Sequence, residues 1–404
     1  MESHASTLLM TLTGRDRPGV TARLLTALSV FPVTIVDLEQ VVIRGRLVLG
    51  ILVSYTDERT AADVRSALEK TAVDLGLDAE IQAGTGNGGP PRRGSLHVTV
   101  LAGPLLPSAM AGIAARIAAG GANIDRIERL ASYPVTCIEF EVSGADPDRL
   151  RAELAAEAAA QRVDVAVQAG GLHRRAKRLV VMDVDSTLIQ GEVIELLAEH
   201  AGCAEEVRRV TEAAMRGELD FEESLRRRVA LLEGLDASVL DDVREKLVLT
   251  PGARTLVRTL KRLDYRFAIV SGGFTQITDA LVERLGIDYS AANTLEIVDG
   301  RLTGRLAGPV VDRKAKAASL ERFAAAAGVP LSQTVAIGDG ANDLDMIAAA
   351  GLGIAFNAKP VLRRAADTSV SVPYMDAILF MLGISREEVE EADAADAAGP
   401  PVAG

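Results

Sequence analysis

Polar side chains that could bind a metal ion or take part in covalent chemistry follow three apolar runs of this sequence. Asp183 and Asp185 follow VVM, Ser271 follows FAIV, and TVAIG is followed by Asp339 and Asp343. Uninterrupted, β-branched runs are typical of strands that are buried on both faces. Because the carboxyl ends of parallel strands share one edge of a sheet, where such folds bind ligands, we expect these side chains to converge.

Converging carboxylates favour a hard cation as their ligand. Asp183 and Asp185 are two positions apart, which in an extended segment places their side chains on the same side. Without a cation between them, such carboxylates would repel each other. The chain has only 4 His, and Cys137 and Cys203 are isolated, so neither a zinc site nor a disulfide framework is indicated. Oxygen ligands remain, and they suit Mg²⁺.

The elements that must position these residues follow from the alternation of strand-like and helical stretches between 179 and about 380, which is typical of a doubly wound parallel α/β sheet. Roughly sixty residues with helical periodicity separate the first aspartate pair from TPGA (250–253), too many for a simple connection. We expect a helical cap over about 190–250 that closes over the sheet edge and excludes water. The third domain is predicted over 172–385, and the acidic tail at 386–404 is predicted to be disordered.

The first half of the chain contains an internal repeat. LLMTLT (8–13) and LHVTVL (96–101) are both strand-like, and Asp37 and Asp125 follow them at the same interval. Each copy has the order βαββαβ, which predicts two ferredoxin-like modules over 1–84 and 95–171. The glycine cluster between them could suggest a dinucleotide-binding loop, but prolines follow it where such a loop must open a helix. We interpret 85–94 as a flexible linker.

Charge and composition argue against several kinds of partner. The chain has 44 basic and 56 acidic residues, a net charge of −12, no Trp and only 3% aromatic residues. Nucleic acids and anionic membrane surfaces are therefore not expected as partners. The segment MESHASTLLM lacks the basic region and long apolar core of a signal peptide, so we expect a cytoplasmic protein.

Taken together, the strand-end motifs resemble a known family. DVDST, the SGG after an apolar strand, a lysine further along the chain, and GDGAND are similar to the four motifs of the haloacid dehalogenase-like phosphatases, over residues 179–375. Three longer segments resemble the phosphoserine phosphatases of that superfamily: GEVIELLAEHAG, TEAAMRGELDFEESLRRRVALLEG and GDGANDLDMIAAAGLGIAFNAKP. The resemblance implies hydrolysis of O-phospho-L-serine through an aspartyl-phosphate, as the last step of serine biosynthesis.

The resemblance also implies roles for the motif residues. Asp183 would be the nucleophile, and Asp185 would act as general acid and then as general base. Lys316 would neutralise the phosphoryl charge, with the nearby Lys314 as an alternative. Mg²⁺ would be held by Asp183, Asp339 and the backbone carbonyl of Asp185. The phosphoryl oxygens would be bound by Ser271 and the Gly272 amide, and supporting positions would be taken by Thr187, Gly273, Asn342 and Asp343, with Asn342 also able to contact substrate oxygens.

Recognition of the serine part of the substrate is expected from the cap. The resemblance implies Glu192 for the ammonium group and Arg228 for the carboxylate, since a bidentate guanidinium suits a carboxylate. Met215 and Phe221 would form apolar walls. The three arginines at 226–228 point about 100° apart on a helix, so at most one of them faces the pocket.

The two βαββαβ modules resemble ACT domains, which bind amino acids and pair across subunit interfaces. In the first copy, GRDRPGV (14–20) resembles the ligand loop of that family, although RPG is also an ordinary helix start. AGPLLPSA (102–109) in the second copy lacks this pattern. If this loop binds an effector, L-serine is the natural candidate, because it is the product of the implied reaction. The effector-binding residues would be Asp16, Gly19 and Asn123, and a homodimer is expected because strand edges of such modules often pair between chains.

Three alternatives remain open. One is a phosphatase or phosphotransferase acting on another small phospho-amino acid, such as phosphohomoserine or phosphothreonine, because a pocket discriminates one methylene only modestly. A second is a regulatory amino-acid-binding protein with an inactive phosphatase fold, against which the intact set of motif residues argues. The third is a phosphoprotein phosphatase, for which a closing cap leaves little room.

Overall fold

The computed structural model describes residues 6–85, 95–171, 174–215 and 218–398. The chain divides into two compact units, Met1–Arg92 and Arg93–Gly404. Residues 86–94 of the predicted linker lie outside the described part of the chain. Among the described residues, no helix combines the length and apolar character that crossing a membrane requires.

The first unit is a four-stranded antiparallel sheet with two helices on one face. Its elements are β1 (Ser6–Arg15), α1 (Val20–Leu28), β2 (Thr34–Ile43), β3 (Arg46–Tyr55), α2 (Glu58–Leu75) and β4 (Leu77–Thr85). The strand order is β2-β3-β1-β4. The alternation of side chains along β3 shows which face of the sheet the helices cover. Leu47, Leu49 and Ile51 are fully buried against the helices, while the residues between them are not.

The second module repeats this arrangement within the second unit. It contains β5 (Leu96–Ala102), α3 (Pro107–Ala119), β6 (Asn123–Ala131), β7 (Thr136–Ser143), α4 (Pro147–Gln161) and β8 (Asp164–Ala169). Its strand order, β6-β7-β5-β8, is equivalent to that of the first module. The βαββαβ order predicted for both copies is therefore confirmed.

The remainder of the second unit is built on a seven-stranded sheet. Its strands are β9 (Leu179–Met182), β10 (Arg266–Phe274), β11 (Tyr289–Val298), β12 (Arg301–Ala307), β13 (Thr334–Gly338), β14 (Gly353–Phe356) and β15 (Thr368–Val370). The order is β12-β11-β10-β9-β13-β14-β15, and every neighbouring pair is parallel except β11 and β12. The predicted parallel α/β sheet is confirmed, and the three strands that carry the motifs are adjacent, with β9 in the middle.

Helices cover this sheet and form the segment predicted as a cap. The cap helices are α5 (Val193–Ala201), α6 (Ala204–Met215), α7 (Phe221–Ala230) and α8 (Val239–Lys246). The others are α9 (Ala253–Arg262), α10 (Thr275–Leu285), α11 (Arg313–Ala327), α12 (Leu344–Ala349), α13 (Pro360–Arg363), α14 (Ile378–Met381) and α15 (Arg386–Ala398).

Helix α15 corrects the prediction of a disordered tail from residue 386. Arg262 pairs with Asp393 and Asp396, and Arg258 pairs with Asp393. Val389 is buried in the core of the unit. The prediction rested on the acidic composition of this segment. Here the arginines offset the repulsion between the acidic side chains, and the buried valine adds apolar contact, so an ordered helix is favoured. Residues 399–404 lie outside the described part of the chain.

The second module is docked onto the phosphatase-like sheet through its helix-free face. Leu101, Cys137 and Ala166 point from that face and are fully buried in the same apolar core as β9 and β10. Polar contacts fix the orientation: Gln168 Nε2 donates to the Met381 carbonyl at 2.7 Å, and Asp164 accepts from the Ser371 amide at 2.6 Å. The module is consequently part of the second compact unit.

The repeat supplies a matched test of this docking. Gln168 in VQAG is almost fully buried, whereas Gln82 in the equivalent IQAG of the first module is exposed, and its side chain donates to Glu80. We expect Gln168→Met to lower the free energy of unfolding of the second unit by ~1–3 kcal/mol, because the buried Met381 carbonyl loses its partner. Urea unfolding followed by circular dichroism measures this.

Gln82→Met is the control, and we expect it to change the free energy of unfolding by less than ~0.5 kcal/mol. If both substitutions lower the free energy of unfolding equally, the contact between Gln168 and the Met381 carbonyl contributes no more to stability than an ordinary surface position does.

Candidate active site

The candidate site lies where the chain leaves the carboxyl ends of β9, β10 and β13. Asp183 follows β9 directly, and its amide still donates to the Ile337 carbonyl of β13 at 2.9 Å. The chain then turns over Val184–Leu188, with Ser186 in the left-handed region at φ 56°. This turn takes Asp185 out of the strand and towards β10, so tertiary contacts rather than strand periodicity place the two carboxyl groups.

Asp185 is held from two sides. Its Oδ1 accepts from the Val193 amide at the start of α5 at 2.8 Å, and its Oδ2 accepts from the Ser271 hydroxyl at 3.0 Å. The first contact ties the carboxyl to the cap segment and the second ties it to β10. Burial raises the pKa of Asp185, although both hydrogen bonds act in the opposite direction. A carboxyl with a raised pKa is suited to holding a proton.

A buried lysine organises the other side of the site. Lys316 lies in the first turn of α11, is fully buried, and contacts Oδ1 of both Asp183 and Asp343 at 2.7 Å. Burial by itself lowers its pKa, but the two carboxylates more than offset this and the pKa of Lys316 is raised. Lys314, the alternative considered from the sequence, is exposed and lies near Asp345.

Three carboxylates form the group that could hold a metal ion. Oxygen atoms of Asp183, Asp339 and Asp343 lie within 4.8 Å of one another. Asp343 is already engaged, because one oxygen contacts Lys316 and the other accepts from the amides of Asp339 and Gly340 at 3.2 and 3.1 Å. This leaves Asp183 and Asp339 as the carboxylates better placed to bind a cation. Thr187 Oγ1 lies 3.4 Å from Asp339 Oδ1.

Crowding of these acids changes their pKa values. Burial and then the charge of Asp343 raise the pKa of Asp183 well above its usual value, and the same two causes raise the pKa of Asp339 to about 6. Both shifts reflect negative charge that is concentrated out of contact with water. A divalent cation between the carboxylates would compensate that charge, and their oxygen donors suit Mg²⁺.

The SGG segment forms a tight loop beside Asp185. The Gly273 amide donates to Ser271 Oγ at 2.7 Å. A Cβ added at Gly273 would lie 2.8 Å from Asp185 Oδ2, and one added at Gly272 would lie 3.1 Å from the Phe221 ring. A side chain at Gly273 would therefore displace Asp185, and one at Gly272 would press on the ring of Phe221, which covers the loop from the cap side.

The cap supplies a carboxylate and a guanidinium to the same pocket. Glu192 and Arg228 line it together with Asp183, Asp185 and Asp339. Burial raises the pKa of Glu192 to about 7, with the charge of Asp185 acting in the same direction. An ammonium group bound here would favour the charged form of Glu192.

Only one of the three consecutive arginines reaches this pocket. Arg226 and Arg227 are exposed and pair with Glu222 and Glu223 on their own helix, whereas Arg228 is half-buried and lines the pocket. Asn342, Gly272 and Gly273 also line the pocket, as expected. The side chain of Met215, predicted as an apolar wall, lies outside what the structure describes.

Two residues with contacts at the site were missed by sequence reasoning. Lys359 lines the pocket, and its amide donates to the Asp339 carbonyl at 2.9 Å. It follows the end of β14, so the rule that polar residues after parallel strands converge would have found it. Asn293, in the middle of β11, is fully buried and bonds to the Gly272 carbonyl at 2.8 Å. A polar residue within a strand gave no comparable signal.

The predicted effector residues lie in both compact units. Asp16 is exposed, and its amide donates to the Gly45 carbonyl at 2.9 Å. Gly19 precedes α1 at φ 88°, and no side chain caps the amides of that helix. Asn123 lies in β6 of the second unit, where its side chain bonds to Asp125 at 2.6 Å. Their effector role stays a prediction.

Comparisons with known proteins agree with this architecture. The family model described as haloacid dehalogenase-like hydrolase matches residues 180–348, and two ACT-domain models match residues 6–82 and 95–168. The crystal structure of a probable phosphoserine phosphatase from Vibrio cholerae, in unliganded form, is similar with a TM-score of 0.57 and 36% identity. The match covers 73% of this chain and 88% of that chain.

Two curated proteins match nearly the whole sequence. The phosphoserine phosphatase of Streptomyces coelicolor is 64% identical over 97% of this chain and 95% of its own length. A phosphoserine phosphatase of Mycobacterium tuberculosis is 52% identical over 96% of both chains. With identity of this extent across all three domains, the chain belongs to the phosphoserine phosphatase family of the haloacid dehalogenase-like hydrolases.

Proposed function

We propose that the chain hydrolyses O-phospho-L-serine to L-serine and phosphate through an aspartyl-phosphate, as the last step of serine biosynthesis. The observation that carries the proposal is the different environment of two carboxyl groups at one pocket. Asp183 is held by the ammonium of Lys316, whereas Asp185 is held by a hydroxyl and an amide. One group is thus suited to act as a nucleophile and the other as an acid.

In the first step, Asp183 attacks phosphorus and the bond between phosphorus and the serine oxygen breaks. Lys316 and the Val184 amide both contact Oδ1 of Asp183 at 2.7 Å, so Oδ2 is the oxygen that we assign to the attack. Asp185 gives its proton to the departing serine oxygen. In the second step a water molecule attacks the same phosphorus, Asp185 takes its proton, and phosphate leaves while Asp183 is restored.

The remaining groups bind the phosphoryl oxygens and the metal. We assign the Gly272 amide and Lys316 to the phosphoryl oxygens, where the ammonium compensates the charge that develops in the transition state. Ser271 was expected to bind these oxygens too, but its hydroxyl proton is donated to Asp185, so we assign Ser271 to the positioning of that carboxyl group. Asp183, Asp339 and the backbone carbonyl of Asp185 would hold Mg²⁺. When bound, this ion would polarise the phosphoryl group. Asp343 keeps Lys316 and the loop after β13 in place.

Substrate selection is assigned to Glu192 and Arg228, which present one anion and one cation to the pocket. Phosphoserine carries an ammonium and a carboxylate beside its phosphate, so both charges find a partner. A sugar phosphate would leave both protein groups desolvated without a partner, which is costly. Phosphothreonine differs from phosphoserine by a single methyl group, and a pocket discriminates such a group only modestly.

The first prediction concerns the nucleophile. We expect Asp183→Asn to lower kcat for phosphoserine in the presence of Mg²⁺ by more than about 10³-fold, because the amide cannot form the acyl-phosphate. Phosphate release measures the rate, and trapping of phosphorylated protein after mixing with labelled substrate tests the intermediate.

Asp345→Asn serves as the control, since Asp345 is a surface residue that pairs with Arg313. It should keep wild-type turnover and the phosphorylated intermediate. A phosphorylated Asp183→Asn protein, or a wild type that is inactive on phosphoserine, would contradict the proposal.

The second prediction concerns the carboxylate of the substrate. We expect Arg228→Lys to lower kcat/KM for phosphoserine by about 10- to 100-fold, because a bidentate charged contact is replaced by a point charge. O-phosphoethanolamine lacks the carboxylate, so its kcat/KM should change much less. Arg227→Lys is the matched control, and we expect it to leave both values unchanged. Equal losses on the two substrates would assign Arg228 a structural role instead.

We further propose that L-serine regulates the enzyme at the first ACT domain and that the chain acts as a homodimer. The loop before α1 supports the effector site, because Gly19 begins this helix without a side-chain cap and a helix N-terminus favours an anionic group such as a carboxylate. Regulation requires that serine binds two conformational states with different affinity. The predicted cytoplasmic location and the dimer stay predictions.

The third prediction tests this regulation. We expect L-serine to lower phosphoserine turnover non-competitively, and Asp16→Ala to weaken this inhibition without changing the rate in the absence of serine. Asp63→Ala, on the exposed side of α2, is the control and should be inhibited like the wild type. Purely competitive inhibition would leave the ACT domains with a role in assembly only.

A further inference from the structure

Strand β10 separates from β11 where it reaches the candidate active site. The side chain of Asn293 on β11 bonds to β10 across the resulting gap. Val270 is paired with Ala291 and Phe274 with Asn293, so two extra residues on β10 have no backbone partner on β11. Asn293 Nδ2 donates to the Gly272 carbonyl at 2.8 Å, and Asn293 Oδ1 accepts from the Val311 amide at 2.8 Å. Asn293 is only 1% exposed, so both contacts are made without competition from water.

The contact at Gly272 continues to the proton donor of the reaction. The peptide between Gly272 and Gly273 is planar, so fixing its carbonyl also fixes its N–H on the opposite side. That N–H donates to Ser271 Oγ at 2.7 Å. Since this lone pair of the hydroxyl is occupied, its proton is directed to Asp185 Oδ2, 3.0 Å away. A continuous chain of hydrogen bonds therefore joins Asn293 to Asp185.

The second contact of Asn293 leads to the other side of the site. Val311 precedes Asp312, whose side chain caps α11 by accepting from the Ala315 amide at 2.8 Å. The Asp312 carbonyl accepts from the Lys316 amide at 2.9 Å. Because its amide is both donor and acceptor, Asn293 ties the loop that faces Asp185 to the helix that carries Lys316.

We propose that Asn293 is a positioning residue for proton transfer, which holds the Ser271 hydroxyl on Asp185 through the Gly272–Gly273 peptide. The inference rests on the proposed function, in which Asp185 protonates the leaving oxygen. Asn293 does not contact the reacting atoms. Its effect is on the step in which the leaving group needs a proton.

Asn293→Asp tests the contact with Gly272 selectively. The carboxylate keeps an oxygen for the Val311 amide but has no N–H to donate to the Gly272 carbonyl. We expect kcat for phosphoserine to fall by about 10- to 100-fold, as for other groups that orient a reacting side chain. The fall should be several-fold smaller with p-nitrophenyl phosphate, whose leaving group needs no proton. Asn293→Ser, which introduces no charge, gives the same test if Asn293→Asp does not fold.

A double-mutant cycle with Ser271→Ala tests whether Asn293 acts on Asp185 through the Ser271 hydroxyl. If Asn293 acts through the Ser271 hydroxyl, Asn293→Asp has little further effect on kcat in the Ser271→Ala background. Additive effects in the cycle, wild-type kcat in Asn293→Asp, or equal losses on the two substrates would each overturn the inference.

Gln276→Glu is the matched control. The side-chain amide of Gln276 also joins two segments, since it donates to the Leu295 carbonyl at 2.9 Å and accepts from the Leu295 amide at 3.2 Å and from the Thr275 hydroxyl at 3.3 Å. None of these three partners belongs to the SGG loop. We expect near-normal kcat for this variant, whatever its thermal midpoint; a loss equal to that of Asn293→Asp would overturn the inference. A wild type inactive on phosphoserine would instead refute the proposed function, and the cycle could still be measured with the aryl phosphate.

Discussion

The rest of the site depends on the buried ion pairs that the ammonium of Lys316 makes with Asp183 and Asp343. A fully buried cation is stable only with charged partners, and removing one partner of such a group typically costs ~3–5 kcal/mol. These ion pairs join three elements: α11 brings the lysine, the end of β9 brings Asp183, and the loop after β13 brings Asp343. Any displacement of one of these elements separates charges that water cannot reach.

The same pocket brings several ionisable side chains together at separate places. Burial raises the pKa values of Asp183, Asp185, Asp339 and Glu192, and neighbouring carboxylates raise those of Asp183, Asp339 and Glu192 further, so a cation bound in the pocket would be favoured. The buried Lys316 and Arg228 supply positive charge at separate places. A phospho-amino acid matches this pattern because its phosphate, ammonium and carboxylate are also separate.

The two ACT domains have the same fold but different surroundings. In the second, the helix-free face of the sheet packs on the phosphatase core through Leu101, Cys137 and Ala166, and Gln168 reaches the chain at Met381. The equivalent Gln82 of the first domain is exposed. The second copy is therefore part of the same compact unit as the seven-stranded sheet, whereas the first copy forms a unit of its own.

The sequence by itself determined the fold class, the repeat, and the group of motif residues at adjacent strand ends. These features depend on local periodicity and on the rule that the carboxyl ends of parallel strands lie at one edge of the sheet. Neither requires knowledge of which distant residues come into contact. The exact partners were decided only by tertiary structure. Nothing local distinguishes Lys316 from Lys314, or shows that Asn293 bonds to Gly272, because each contact joins segments far apart in the sequence. The ordered helix at Arg386–Ala398 depends on the same physical condition, since its acidic residues are stabilised by arginines of α9 that only folding brings near.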